Sequence, residues 1–113
     1  MKVINVYEQY FEAACIFNEV ERHAAKVMLV ATSDSGMIKY EAVATFFPYN
    51  DPEDFVISYD AYVSKVIYEG KGRRSKKKEA KYLESFREEI DELVASIDGE
   101  IYWDKPIREA SFG

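Results

Sequence analysis

The chain has 113 residues and a formal net charge of −6, with 48% hydrophobic and 15% aromatic residues. Such a length suits one domain, and so much apolar side chain excludes a disordered chain, which combines high charge with few hydrophobics. No apolar run reaches the ~20 residues of a membrane-spanning helix, and the opening "MKVINVYEQYF" is broken by Asn5, Glu8 and Gln9, unlike a signal peptide.

Asn5 and Glu8 have the spacing of a capping box. Val6, Tyr10, Ala13, Phe17 and Val20 then recur at helical intervals, with Tyr7, Ala14 and Ile16 widening the stripe, which predicts a first helix over 6–24. Residues 26–32, "KVMLVAT", are apolar on both alternating sets, as in a strand covered on both sides. "SDSG" at 33–36 predicts a hairpin turn with Gly36 at positive φ. In the next strand Ile38, Tyr40, Ala42, Ala44 and Phe46 point inward, and Lys39, Glu41 and Thr45 outward.

"PYNDPED" at 48–54 reads as a loop. Residues 55–69 fit two patterns. Phe55, Ile57, Tyr59, Ala61, Val63 and Ile67 alternate as a strand, whereas Tyr59, Tyr62, Val63, Val66 and Ile67 also fit a helix. β-branched and aromatic content favours a long strand, bulged near Asp60 and ended by Gly70 and Gly72. A second helix over 76–97 would bury Leu83, Phe86, Ile90, Leu93, Val94 and Ile97, with Gly99 as its stop. "EIYWD" at 100–104 adds a short edge strand, and 105–113 is a loosely held tail. The order α-β-β-β-α(-β) predicts a single α+β domain over 1–104, an antiparallel sheet with two helices packed on one face.

Charge is unevenly spread. Lys71, Arg73, Arg74, Lys76, Lys77, Lys78 and Lys81 are seven of the 15 basic residues, and the segment Lys71–Lys81 holds one acid, Glu79. The remainder keeps 8 basic against 20 acidic residues, a net −12, and would repel nucleic acid or an anionic membrane. Any phosphate contact must therefore run through the basic segment. Ser75 is a sound N-cap for the second helix, but Lys76, Lys77 and Lys78 fill its first turn, where the helix dipole prefers acids. Either the run is a solvated charge feature, or it waits for an anion at a helix start that already offers free N–H groups.

A strand ending in glycines, followed by Ser-Lys-Lys-x-Ala-Lys chemistry opening the last helix, resembles the double-stranded-RNA-binding domain. The resemblance covers about residues 66–83 and the order of elements. It implies phosphate contacts from Lys77, Lys78 and Lys81, with Ala80 packing inward. The chain departs from that family in the added Lys76, and in having "SDSG" where the family has a Gly-Pro-x-His type of hairpin loop. An alternative uses the opposite pole. Glu84, Glu88, Glu89, Asp91 and Glu92, with Asp51, Glu53 and Asp54, could mimic phosphate charge and occupy a basic channel of a nucleic-acid enzyme, as small acidic phage inhibitors do.

Catalytic and metal motifs are not found. His23 is a lone histidine without ligand partners. Cys15 is the only cysteine, with no basic neighbourhood, and reads as a structural thiol of a reducing, cytoplasmic compartment. "NDPED" lacks the spacing of a calcium loop. The sequence thus predicts a non-catalytic binding protein, without metal or small-molecule cofactor, whose partner is nucleic acid or a protein and not a membrane.

Overall fold

The apolar residues of the first third build a long strand pair, not a helix followed by a strand. In the computed structural model, which describes residues 1–17, 19–47 and 62–107, β1 spans Lys2–Phe17 and β2 spans Val20–Asp34. They are followed by β3 (Met37–Phe47), β4 (Tyr62–Lys71), α1 (Lys76–Glu84), α2 (Phe86–Ala95) and β5 (Glu100–Ile107). Among the described residues all pairings are antiparallel, and the sheet order is β4-β3-β2-β1-β5. The expected α-β-β-β-α(-β) order is therefore corrected to a five-stranded antiparallel sheet with a short helical layer. No helix among the described residues is long and apolar enough to cross a membrane.

The helical spacing read over 6–24 has a physical source in the first of two irregularities of β1. Its register against β2 shifts between Asn5 and Tyr7 and again between Glu12 and Cys15. The extra residue at the first shift changes which side of the strand faces the core, whereas Phe11, Ala13, Cys15 and Phe17 keep one side across the second. As a result Val6 and Tyr7 both pack on the core, and the buried set resumes as Phe11, Ala13 and Cys15. Intervals of two residues broken by a bulge imitate intervals of three and four.

The β2–β3 turn forms as its residues dictate. Asp34 pairs with Met37, and between them Ser35 (φ 50°) and Gly36 (φ 81°) both take the left-handed conformation of a tight hairpin. Along β3, Ile38, Tyr40, Ala42, Ala44 and Phe46 are all buried on the core face, as their alternation predicts. Val27, Leu29 and Ala31 of β2 join them, while Lys26, Met28, Val30 and Thr32 are half-buried on the other side. Residues 62–71 of the ambiguous segment are strand; 55–61, the bulge near Asp60 and the 48–54 loop lie outside the described residues.

The predicted second helix is two. It breaks at Ser85 (φ −102°, ψ 5°), and α2 then buries Phe86, Ile90 and Val94 against the sheet. Leu93 and Ile97 are half-buried, and Leu83, expected in the core, is 36% exposed. At the end of α2 the left-handed residue is Asp98 (φ 53°), not Gly99. The Asp98 amide donates to Ala95 and the Gly99 amide to Val94, satisfying the last carbonyls. Gly99 is required for space, since a Cβ there would lie 2.8 Å from Phe46 Cζ. The chain then returns as β5 beside β1, and continues to buried Ile107, so residues 105–107 belong to the strand; 108–113 lie outside the described residues. A smaller cluster of Tyr10, Ala24, Phe47 and Ile107 forms apart from the main core.

Candidate nucleic-acid interface

The basic segment lies where β4 leaves the sheet and turns into α1. Ser75 caps α1 as its position requires, its hydroxyl accepting from the Lys78 amide at 3.3 Å and its carbonyl from the Glu79 amide at 2.9 Å. What the sequence did not disclose is the role of Glu79. The residue buried beneath the helix start is this carboxylate, 5% exposed, and Ala80, expected inward from the family resemblance, faces solvent.

Glu79 is held from two sides. Arg74 donates Nε to Oε2 at 3.0 Å and Nη2 to Oε1 at 2.9 Å, and Tyr40 on β3 donates its hydroxyl to Oε2 at 2.8 Å. The same Tyr40 oxygen accepts the Ser75 amide at 3.2 Å. The Arg74 guanidinium holds the Glu79 carboxyl below the usual carboxylate range, against the opposing effect of burial. Burial, chiefly, pushes the Tyr40 hydroxyl up. A buried tyrosine needs a partner for its hydroxyl, and the single acid in a lysine run was the available signal for this contact.

The other cations of the segment divide by what they touch. Lys78 Nζ sits 4.7 Å from the Tyr68 ring centre, a cation–π contact. The Tyr68 ring reaches along its own strand over Gly70, where a Cβ would meet Tyr68 Oη at 2.7 Å. Lys71, Arg73, Lys76, Lys77 and Lys81 are exposed, and none forms an ion pair with a described carboxylate. Lys77 and Lys81, one turn apart, share a face of α1.

The acidic pole is partly engaged within the molecule. Glu89 meets Lys65 Nζ at 2.8 Å and Glu92 meets it at 3.7 Å, while Asp91 accepts the Trp103 indole N–H at 2.9 Å. Glu84 and Glu88 are exposed, without such contacts among the described residues. His23 lies on the surface 3.7 Å from Glu21, and buried Cys15 directs its sulfur to the Ile97 carbonyl at 3.6 Å. Burial raises the Cys15 pKa, the opposite of an activated thiol. Among the described residues no group of three or more metal-ligating side chains comes together.

The chain matches no protein-family model, and neither the curated proteins nor the solved structures compared with it contain a match. The functional reading therefore rests on the site.

Proposed function

We propose that this protein is a non-catalytic binding protein that engages nucleic-acid phosphate, structured RNA included, through Lys71, Arg73, Lys76, Lys77, Lys78 and Lys81. The supporting observation is the division of charge within the segment. Arg74 is matched by a buried carboxylate, whereas the remaining cations are exposed, without carboxylate partners among the described residues, around a capped helix start. Lysines in a first turn oppose the helix dipole by a few tenths of a kcal/mol each, and an anion placed there reverses the sign of that interaction. Of the family resemblance, the short lysine motif persists, but the predicted first helix, the element that in that family touches a minor groove, is a strand here. The proposed contact is accordingly with phosphate alone.

The acidic-mimic alternative has less support, because Glu89, Asp91 and Glu92 are occupied by Lys65 and Trp103. The deciding experiment is retention on immobilised duplex RNA, duplex DNA and single strands by the protein and its Lys77→Glu, Lys78→Glu variant. Retention should vanish in the variant without loss of folding, and fall with salt at a slope of roughly −0.9 per phosphate neutralised on a duplex. Binding that ignores salt, or that survives both reversals, defeats the proposal.

A further inference from the structure

A cleft of about 670 Å³ opens beside the basic segment, at the end of the sheet marked by the β2–β3 turn. Lys2 and Ile4 of β1 form one side, Ser33 to Met37 another, and Gly72 to Arg74 the third. Ile4 pairs with Ala31 of the helix-side core, yet no residue of α1 or α2 lines the cleft. The Gly72 amide donates to the Gly36 carbonyl at 2.9 Å, fastening the basic wall to the turn. The space is thus formed by paired strands and a tied loop, in the size range of small-molecule sites.

Its chemistry is that of an anion with a polar body. Lys2 and Arg73 are exposed and make no ion pair with a described carboxylate. Arg74 spends one Nε and one Nη2 hydrogen on Glu79, and that clamp fixes its plane while leaving the Nη1 hydrogens to donate elsewhere. Ser33 and Ser35 add hydroxyls, and Ile4 and Met37 an apolar surface. Among the described residues Asp34 is the one carboxylate on the lining, with Ser35 Oγ 3.3 Å from its Oδ1. An acceptor there disfavours a bare phosphate ion and favours a ligand that carries hydroxyl or amino donors.

We propose that this cleft binds a phosphomonoester on a nucleotide unit, either the phosphorylated end of a strand or a free nucleotide. A monoester brings a charge of about −1.5 to −2 at neutral pH, which the clustered cations of this cleft match better than the single charge of an internal diester. The strand-end source rests on the nucleic-acid reading of the neighbouring lysines; the free-nucleotide source does not.

The test is an amide-resolved NMR titration with adenosine 5′-monophosphate, and with a short single strand bearing a 5′-phosphate, a 3′-phosphate or neither. Shifts are expected at Lys2, Ser33, Gly36 and Gly72. A terminal phosphate should tighten strand binding by about tenfold or more, the equivalent of one charge-assisted hydrogen bond. Lys2→Gln with Arg73→Gln, both at exposed positions, should remove that gain while the melting temperature holds. Tighter binding of the free nucleotide than of the strand end assigns the free source, and the reverse assigns the strand end. Cleft shifts with the nucleotide when no strand binds would overturn the nucleic-acid reading and keep the cleft. Strands that bind equally with and without a terminal phosphate, with no response to the nucleotide, overturn the cleft and keep the reading of the lysines. A phosphate gain that persists in the double variant also overturns it.

Discussion

Arg74 clamps buried Glu79 by two parallel hydrogen bonds of 3.0 and 2.9 Å, so the first strong contact of the basic segment is with the protein's own core. Tyr40 completes the site from β3 and also receives the Ser75 amide, which ties the helix cap to the sheet. Replacing Glu79 with Gln leaves Arg74 without its counter-charge and Tyr40 with a weaker acceptor. The expected loss is about 1–3 kcal/mol, the cost of under-satisfied buried polar groups, kept low because the Arg74 side chain is 41% exposed. Urea unfolding of the single and Arg74→Gln double variants should show a coupling between the two positions well above zero. Additive effects would contradict the clamp.

The same carboxylate sets a pH dependence. Its pKa in the folded protein is lowered, first by the Arg74 hydrogen bonds. A lowered folded-state value means that the contribution is full above the unfolded glutamate pKa of about 4.3. It is lost as pH falls below that value and through the folded one. Unfolding midpoints measured from pH 7 to pH 3 should drop more steeply for the parent protein than for Glu79→Gln. Parallel curves would show that Glu79 titrates normally.

What could be read in the sequence depended on whether one regular period ran through a segment. β3 alternates without interruption, and every inward assignment from Ile38 to Phe46 holds. β1 changes its core-facing side at the first of its two register shifts, so its period is mixed, and Ala13 and Ala14 beside the second one strengthened the helical appearance. Its β-branched and aromatic content, from Val3 to Phe17, was the better guide. The helix break was hidden because Ser85 sits within a run of good helix formers. Lys77, Lys78 and Lys81 were legible as exposed cations. The burial of Glu79 was not, since it depends on Tyr40, 39 residues away.

The break at Ser85 separates two leucine-spaced positions that one helix would treat alike. Ile90 is fully buried in the α2 stripe, and Ile90→Ala should cost ~2–5 kcal/mol as a core truncation. Leu83, 36% exposed near the end of α1, should cost well under that when changed to Ala. Denaturant midpoints of the two variants decide the matter. Equal losses would mean that α1 and α2 bury one continuous stripe.

Reversal of the acidic pole separates the phosphate reading from the inhibitor reading, and the choice of residues matters. Glu89→Lys would also strip Lys65 of its 2.8 Å partner and place two lysines together, confounding binding with folding. Glu84 and Glu88 make no such contact among the described residues, so Glu84→Lys with Glu88→Lys alters surface charge alone. If phosphate binds the lysine surface, this variant should bind nucleic acid at least as tightly as the parent, because the repulsive background of the body is reduced. The gain should shrink at high salt, where the Debye length falls to about 3 Å at 1 M. A phosphate-mimicking protein would behave oppositely, keeping no nucleic-acid affinity and losing a basic protein partner on the same two reversals. Retention on duplex RNA across a salt series, beside native-lysate capture with nuclease treatment, reads both outcomes at once. Loss of a nuclease-resistant partner without any change in nucleic-acid binding would transfer the function to the acidic pole and leave the lysine run as solvated surface.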